Sequence, residues 1–345
     1  MSNTPANSVS LSVDPKANLL SEFFESHEDF PHLGSSGYQG FTIGGPALLA
    51  FFEWIEASAE ADKIDHVIFL DQNFFRIYNY YFEKKNATNL NSNNFKFSFL
   101  KCDANQLFIA GLTEVNFSAN ADYFIDRMKT ESFEDLFEDI GVNMPASYVL
   151  KDFGLLKGSS FSASELQRAE AFLQAWRSRI LDKARSQRRN LLRQLLSIGI
   201  QEGQRVGVVD FGSDGSLLNS IEIFNKEILN LELFGYSFVL NDSSLVKKRA
   251  SYLRISGLLD RNNASTEVIR DLEKIIPFLE DMSKSAESSK CLSVGRLVFN
   301  IDSINDFEKG VIYFMDSYVG KYNFRSTSRR VFEFTGPLID YIRRI

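Results

Sequence analysis

Two rhythms of apolar and polar residues alternate along the chain. Val67-Ile68-Phe69-Leu70, entered through His66, is an unbroken apolar run closed by the polar triplet Asp71-Gln72-Asn73. Its length and lack of alternation predict a strand buried on both faces. Arg205-Val206-Gly207-Val208-Val209 repeats the pattern, and Phe95–Leu100 and Leu233–Leu240 predict two further strands. Between them the spacing becomes helical. Leu48, Leu49, Phe52, Ile55 and Ala59 share one face of a helix over Pro46–Ala61, which opens at Gly44-Gly45-Pro46. Proline suits a first helical turn because its missing N–H has no partner there. Phe74–Lys84 and Leu217–Leu229 predict two more helices, and Asn86–Asn94 a polar connection. Strand, helix, strand in this order describes a parallel α/β unit.

From about residue 106 to 200 the pattern is helical throughout. Ser162-Ala163-Ser164-Glu165 has capping-box spacing, and a helix with one kink is expected from there to Ile198, ended by Gly199–Gly203. Further on, helices are expected over Thr266–Lys284, Asn305–Tyr318 and Gly336–Arg344, with a strand over Cys291–Phe299. The segment Gly34–Gly40 reads as a loop, Leu19–Glu25 as a short helix, and Met1–Lys16 as a disordered leader. The expected architecture is a partly disordered leader over residues 1–33, then one α/β domain over 34–345. That domain has a Rossmann-like parallel sheet, a helical insertion at about 106–200, and a C-terminal helical extension from about 241.

Composition narrows the picture. Hydrophobic content of 44% supplies a packed core and excludes wholesale disorder. The 32 phenylalanines recur at helix and strand spacing, which assigns them to that core. A net charge of -7 argues against general nucleic-acid binding. No apolar stretch is long enough to span a bilayer, and no signal sequence opens the chain. Cys102 and Cys291 form no disulfide framework, so a reducing, cytoplasmic compartment is expected. His27, His32 and His66 lack paired ligand spacing, so no dedicated metal site is predicted.

The strongest candidate site is Asp210-Phe211-Gly212-Ser213-Asp214-Gly215-Ser216, between a strand and a helix. Ligands of open parallel sheets bind where strand C-termini meet helix N-termini, and the free N–H groups there favour phosphate-like anions. Gly212 and Gly215 would let the backbone approach a ligand, Ser216 would donate a hydrogen bond, and Asp210 would orient a sugar hydroxyl or hold an ion such as Mg2+. The plainer reading is a strand-to-helix turn with Ser216 as its N-cap, and Asp214 would repel a bound phosphate. A second aspartate, Asp71, follows the first strand as a phosphatase nucleophile would, but Asn73 stands where a general acid is needed. The helix carrying Arg177, Arg179, Lys183, Arg185, Arg188, Arg189 and Arg193 is the chain's basic cluster. It is a solvated face, a surface for an acidic partner, or the source of Arg188 and Arg189 as countercharges at the ligand loop.

Several of these residues together resemble a known bacterial family. They are Gly37-Tyr38, Gly45-Pro46, Phe51 to Ile55 with Trp54, Val67–Leu70 with its turn, Gln187-Arg188, Asp210-x-Gly212-x-x-Gly215-Ser216, and Gly235-Tyr236. In this order they are similar to the C-terminal region of predicted hydrolases assigned to the haloacid-dehalogenase superfamily, over roughly Gly37 to Tyr318. The resemblance implies association with glycosyltransferases and surface-polysaccharide loci, and a phosphosugar or nucleotide-sugar ligand. Gln72-Asn73-Phe74 stands where the family has Arg-Asp-Gly, and approximately Asp103-Ala104-Asn105 where it has Ser-Arg-Arg. Those arginines are natural countercharges for phosphate. The family's preceding catalytic domain is also missing. The expectation is a divergent, catalytically degenerate accessory protein, with a ligand-free interaction module or an active phosphatase as the alternatives.

Overall fold

The computed structural model describes residues 20, 23–24, 34–87, 95–129, 131–155, 163–211, 216–240, 253–260, 264–270, 305–319 and 334–338. Its centre is a five-stranded sheet of β1 (His66–Phe69), β2 (Lys96–Phe99), β3 (Arg205–Asp210), β4 (Glu232–Val239) and β5 (Arg254–Leu259). All neighbours are parallel, in the order β2-β1-β3-β4-β5. The chain winds outward from β1 to β2, returns to the other side of β1 at β3, and continues to β4 and β5. This is a doubly wound α/β sheet with its switch point between β1 and β3.

Side chains alternate across this sheet, as a pleated backbone requires. Val67, Phe69, Val209, Tyr236 and Phe238 face one core, while Ile68, Leu70, Val206, Val208 and Leu233 face another. The first core is closed by α2 (Gly45–Ala61), α3 (Gln72–Ala87) and, further along the chain, α10 (Asp306–Tyr318). The second is closed by α4 (Ala104–Gly111), by α9 (Ser216–Ile228), and by Leu191 and Leu195 of α8 (Ala163–Ser197). Covering both faces explains why the strands read as continuous apolar runs. Glu53 and Glu56 interrupt the apolar pattern of α2 because they bury a closed polar cluster. Lys85 Nζ lies 2.5 Å from Glu56 Oε2 and 3.1 Å from Glu53 Oε1, and the hydroxyls of Tyr78 and Tyr81 donate to the same two carboxylates.

The insertion has a core of its own, built by α5 (Ala121–Met128), α6 (Phe133–Asp139), α7 (Ser147–Asp152) and the first half of α8. Phe124, Phe133, Phe137 and Phe172 are fully buried within it. α8 is one continuous helix of 35 residues. One apolar stripe runs along it: Leu173, Ile180 and Ala184 are buried in the insertion core, and Leu191 and Leu195 against the sheet.

Two other stretches depart from expectation. Ser35–Gln39 is helical (α1) and passes through a π-helical turn, Gly40–Gly44, directly into α2, where the glycines predicted a loop. These glycines are contacts rather than hinges. A Cβ on Gly40 would lie 2.0 Å from the Phe307 carbonyl oxygen, and one on Gly310 would lie 2.0 Å from the Gly37 carbonyl oxygen. Only hydrogen side chains permit this approach between α1 and α10. β5 also falls at the start of the C-terminal extension, where no strand was expected, because the sheet runs past Leu240. Leu20 and Phe23 of the leader are buried, with Phe23 against the rings of Phe41, Phe314 and Tyr318. The Ser162 cap, the first leader residues and the strand expected at Cys291–Phe299 lie outside the described residues.

Gly310→Ala is expected to lower unfolding stability by about 3 kcal/mol, since a backbone contact cannot yield as a side chain would. Gly336→Ala, where a Cβ meets open space, is the matched control, and urea denaturation of both variants checks this. A second expectation concerns acid. His66 is 1% exposed, its Nε2 is 2.8 Å from Ser98 Oγ, and burial, aided by the Lys96 charge, lowers its pKa from 6.5 to about 4. The unfolded chain binds a proton that the folded chain refuses. The contribution of neutral His66 is therefore complete above pH 6.5 and lost as pH falls toward 4. Roughly 3 kcal/mol should disappear across that window, and urea titrations of His66→Gln should show a shallower loss.

Candidate functional site

β1 and β3 pair in register, Phe69 opposite Val209, and the Leu70 N–H still reaches the Val209 carbonyl at 3.4 Å. Asp71 and Asp210 therefore leave the sheet at the same edge, on either side of the switch point, as the two apolar runs predicted. From there the two carboxylates have different surroundings. Asp71 Oδ1 accepts the backbone N–H of Asn73 at 2.8 Å and of Phe74 at 2.9 Å. It is the N-cap of α3, and it occupies the orphan donors that a bound anion would otherwise use. Asp210 ends β3, is 7% exposed, and its carbonyl accepts the Ser237 hydroxyl at 3.2 Å from neighbouring β4.

Aromatic rings fill the space between the strand ends. Phe211 stacks on Phe74 at 4.0 Å and on Phe238 at 4.8 Å, with Phe51 edge-on to both Phe211 and Phe238. A cavity of about 10 Å3 remains, lined among others by Gly44, Leu48, Phe74, Phe211 and Glu308. That is room for about one water and not for a sugar ring.

Glu308 and Arg76 belong to this edge and escaped the sequence reading. Glu308 is 1% exposed on α10, forms a reciprocal capping box with Asn305, and has the Arg76 guanidinium 3.6 Å away. Burial raises its carboxyl pKa; Arg76 and the Asn305 N–H oppose this, and the Asp71 charge adds to it. Arg76 thus brings a cation from α3 to the edge. The Asn-x-x-Glu spacing at Asn305–Glu308 was a readable cap signal. Its meeting with Arg76, far away in sequence, was not.

Gly212, Ser213, Asp214 and Gly215 lie outside the described residues, and Ser216 is the first residue of α9, so a helix does begin where the loop predicted one. Arg188 Nε donates to the Ala110 carbonyl at 3.0 Å and its Nη2 to that of Leu112. Carbonyls at a helix C-terminus attract cations, so this contact gives Arg188 a structural role at the end of α4. Arg189 is exposed on the outer side of α8. Among the described residues no three His, Cys, Asp or Glu side chains converge as metal ligands. No helix among the described residues is long and apolar enough to cross a membrane. Neither a scan of protein-family models nor a search of curated proteins finds a match to this chain.

If Asp71 acts as a cap, Asp71→Ala should cost about 1 kcal/mol of stability and Asp71→Asn almost nothing, since asparagine caps equally well. Urea denaturation of the two variants distinguishes them, and equal losses would remove the capping role.

Proposed function

We propose that this chain is a non-catalytic accessory protein of bacterial surface-polysaccharide synthesis, capsule or O-antigen, that holds a phosphosugar or nucleotide sugar over the β3–α9 connection. The observation that carries the reading is the position of Asp210: at the C-terminal end of a parallel strand, beside the switch point, immediately before the segment that opens α9. Ligands of doubly wound sheets gather at that point for topological reasons. The motif resemblance supplies the ligand class and a glycosyltransferase as the partner, in the cytoplasm. The absence of turnover is supported by Asp71, whose carboxylate is engaged in capping, and by Asn73, which cannot serve as a general acid. A second reading, a ligand-free interaction module for a glycosyltransferase, is favoured by the Phe74–Phe211 stack that closes the crevice.

Thermal-shift and calorimetric titration with a panel of sugar phosphates and nucleotide sugars tests the proposal. A true ligand at a hundred times its dissociation constant should add about 2.7 kcal/mol of stability. Gly215→Val should abolish that gain by obstructing backbone approach, and no phosphate ester should be turned over. A ligand that binds Gly215→Val as well as wild type would place the site elsewhere. If no ligand binds at all, the interaction module takes its place. Turnover that vanishes in Asp71→Asn would favour a phosphatase.

A further inference from the structure

The helical insertion is electrically two-ended. From Asp122 to Asp139, across α5 and α6, seven carboxylates face two cations. From Arg177 to Arg193 on α8, seven cations face one carboxylate, Asp182. Some of this charge is consumed internally: Arg127 pairs with Glu131 and Asp139, Arg177 and Arg185 reach Glu114, and Arg188 caps α4. The remainder is presented outward. Among the described residues Arg189, Arg193, Asp122 and Glu138 are exposed and make no ion pair. The two surfaces adjoin, because Lys183 Nζ on α8 lies 2.6 Å from where a Gly141 Cβ would stand just beyond α6. Val115, Tyr148 and Leu196, three of the five most exposed large hydrophobic residues among those described, are 89%, 71% and 69% exposed on the same insertion.

We propose that this face of the insertion binds a second copy of the chain in a twofold, antiparallel arrangement. A partner must match an acidic surface and a basic row side by side, in the reverse order. A second copy meets that requirement by construction: each copy sets its arginine row on the other's carboxylates, and both contacts close in one isologous interface. A foreign polyanion would engage the row but be repelled by the adjoining carboxylates. The exposed apolar side chains supply the desolvated contacts that charge alone does not. The proposal is independent of any ligand at Asp210.

Sedimentation velocity on the full chain tests this. The wild type should sediment at twice the monomer mass at about 50 mM salt and shift toward monomer at about 500 mM, where exposed charges are screened. Arg189→Glu with Arg193→Glu should be monomeric, and so should Asp122→Lys with Glu138→Lys, each retaining the wild-type circular dichroism of an exposed-site variant. Mixing these two charge-reversed proteins should restore the dimer as a heterodimer, which loss of folding in either cannot imitate. A wild type that stays monomeric at low salt overturns the proposal and leaves the arginine row to a foreign acidic partner. A dimer unaffected by either reversal overturns it too.

Discussion

The contact of backbone on backbone between Gly310 of α10 and Gly37 of α1 is the constraint on which the carboxyl edge of the sheet depends. Two helices meet there with no side chain between them, since a Cβ on Gly310 would fall 2.0 Å from the Gly37 carbonyl oxygen. Gly40, Gly44 and Gly45 continue the approach along the π-helical turn, against Phe307 and Phe314. This proximity delivers Phe307 and Glu308 to the mouth of the switch point. A wider spacing would open the crevice and separate Glu308 from Arg76. α10 comes from the last part of the chain and α1 from the first, so the C-terminal extension is structurally part of the domain.

Everything at the edge follows from how the resulting space is filled. In an open doubly wound sheet the switch point is a crevice that admits ligand. Here Phe51, Phe74, Phe211 and Phe238 occupy it as a continuous set of ring contacts, and Leu48 and Ile77 close its sides. Stacked and edge-on rings add to the burial of their own area, so the plug contributes to stability. The polar groups of the edge lie around it: Asp71 holds the end of α3, Asp210 ends β3, and Glu308 is balanced by Arg76. Such an arrangement fills the strand ends with packed side chains and leaves a cavity of only about 10 Å3 among them.

The insertion answers to different forces. Its aromatic core is self-sufficient, and it joins the sheet through the second half of α8 and through Arg188, which ties that helix to the last carbonyls of α4. One helix thus contributes to both cores.

The sequence by itself determined the elements whose burial is complete on both faces. Val67–Leu70 and Val206–Val209 could be only buried parallel strands, and their polar exits placed Asp71 and Asp210 at one edge before any coordinates. Period alone also read α2, α3, α9 and α10, although the first turns of α2 are buried all round. β5 was missed, since Arg254 and Ser256 alternate with buried Ile255 and Gly257 in a short run that carries no strong apolar signal. The glycines of α1 were misread for a physical reason: glycine permits both a flexible turn and a close helix contact, and only the opposing Gly310 decides which. Asp71 as a cap, Arg188 on α4 and the Glu308–Arg76 pair were decided by the tertiary structure. Each depends on which distant group arrives within hydrogen-bonding or ion-pairing distance, and local sequence spacing does not encode that distance.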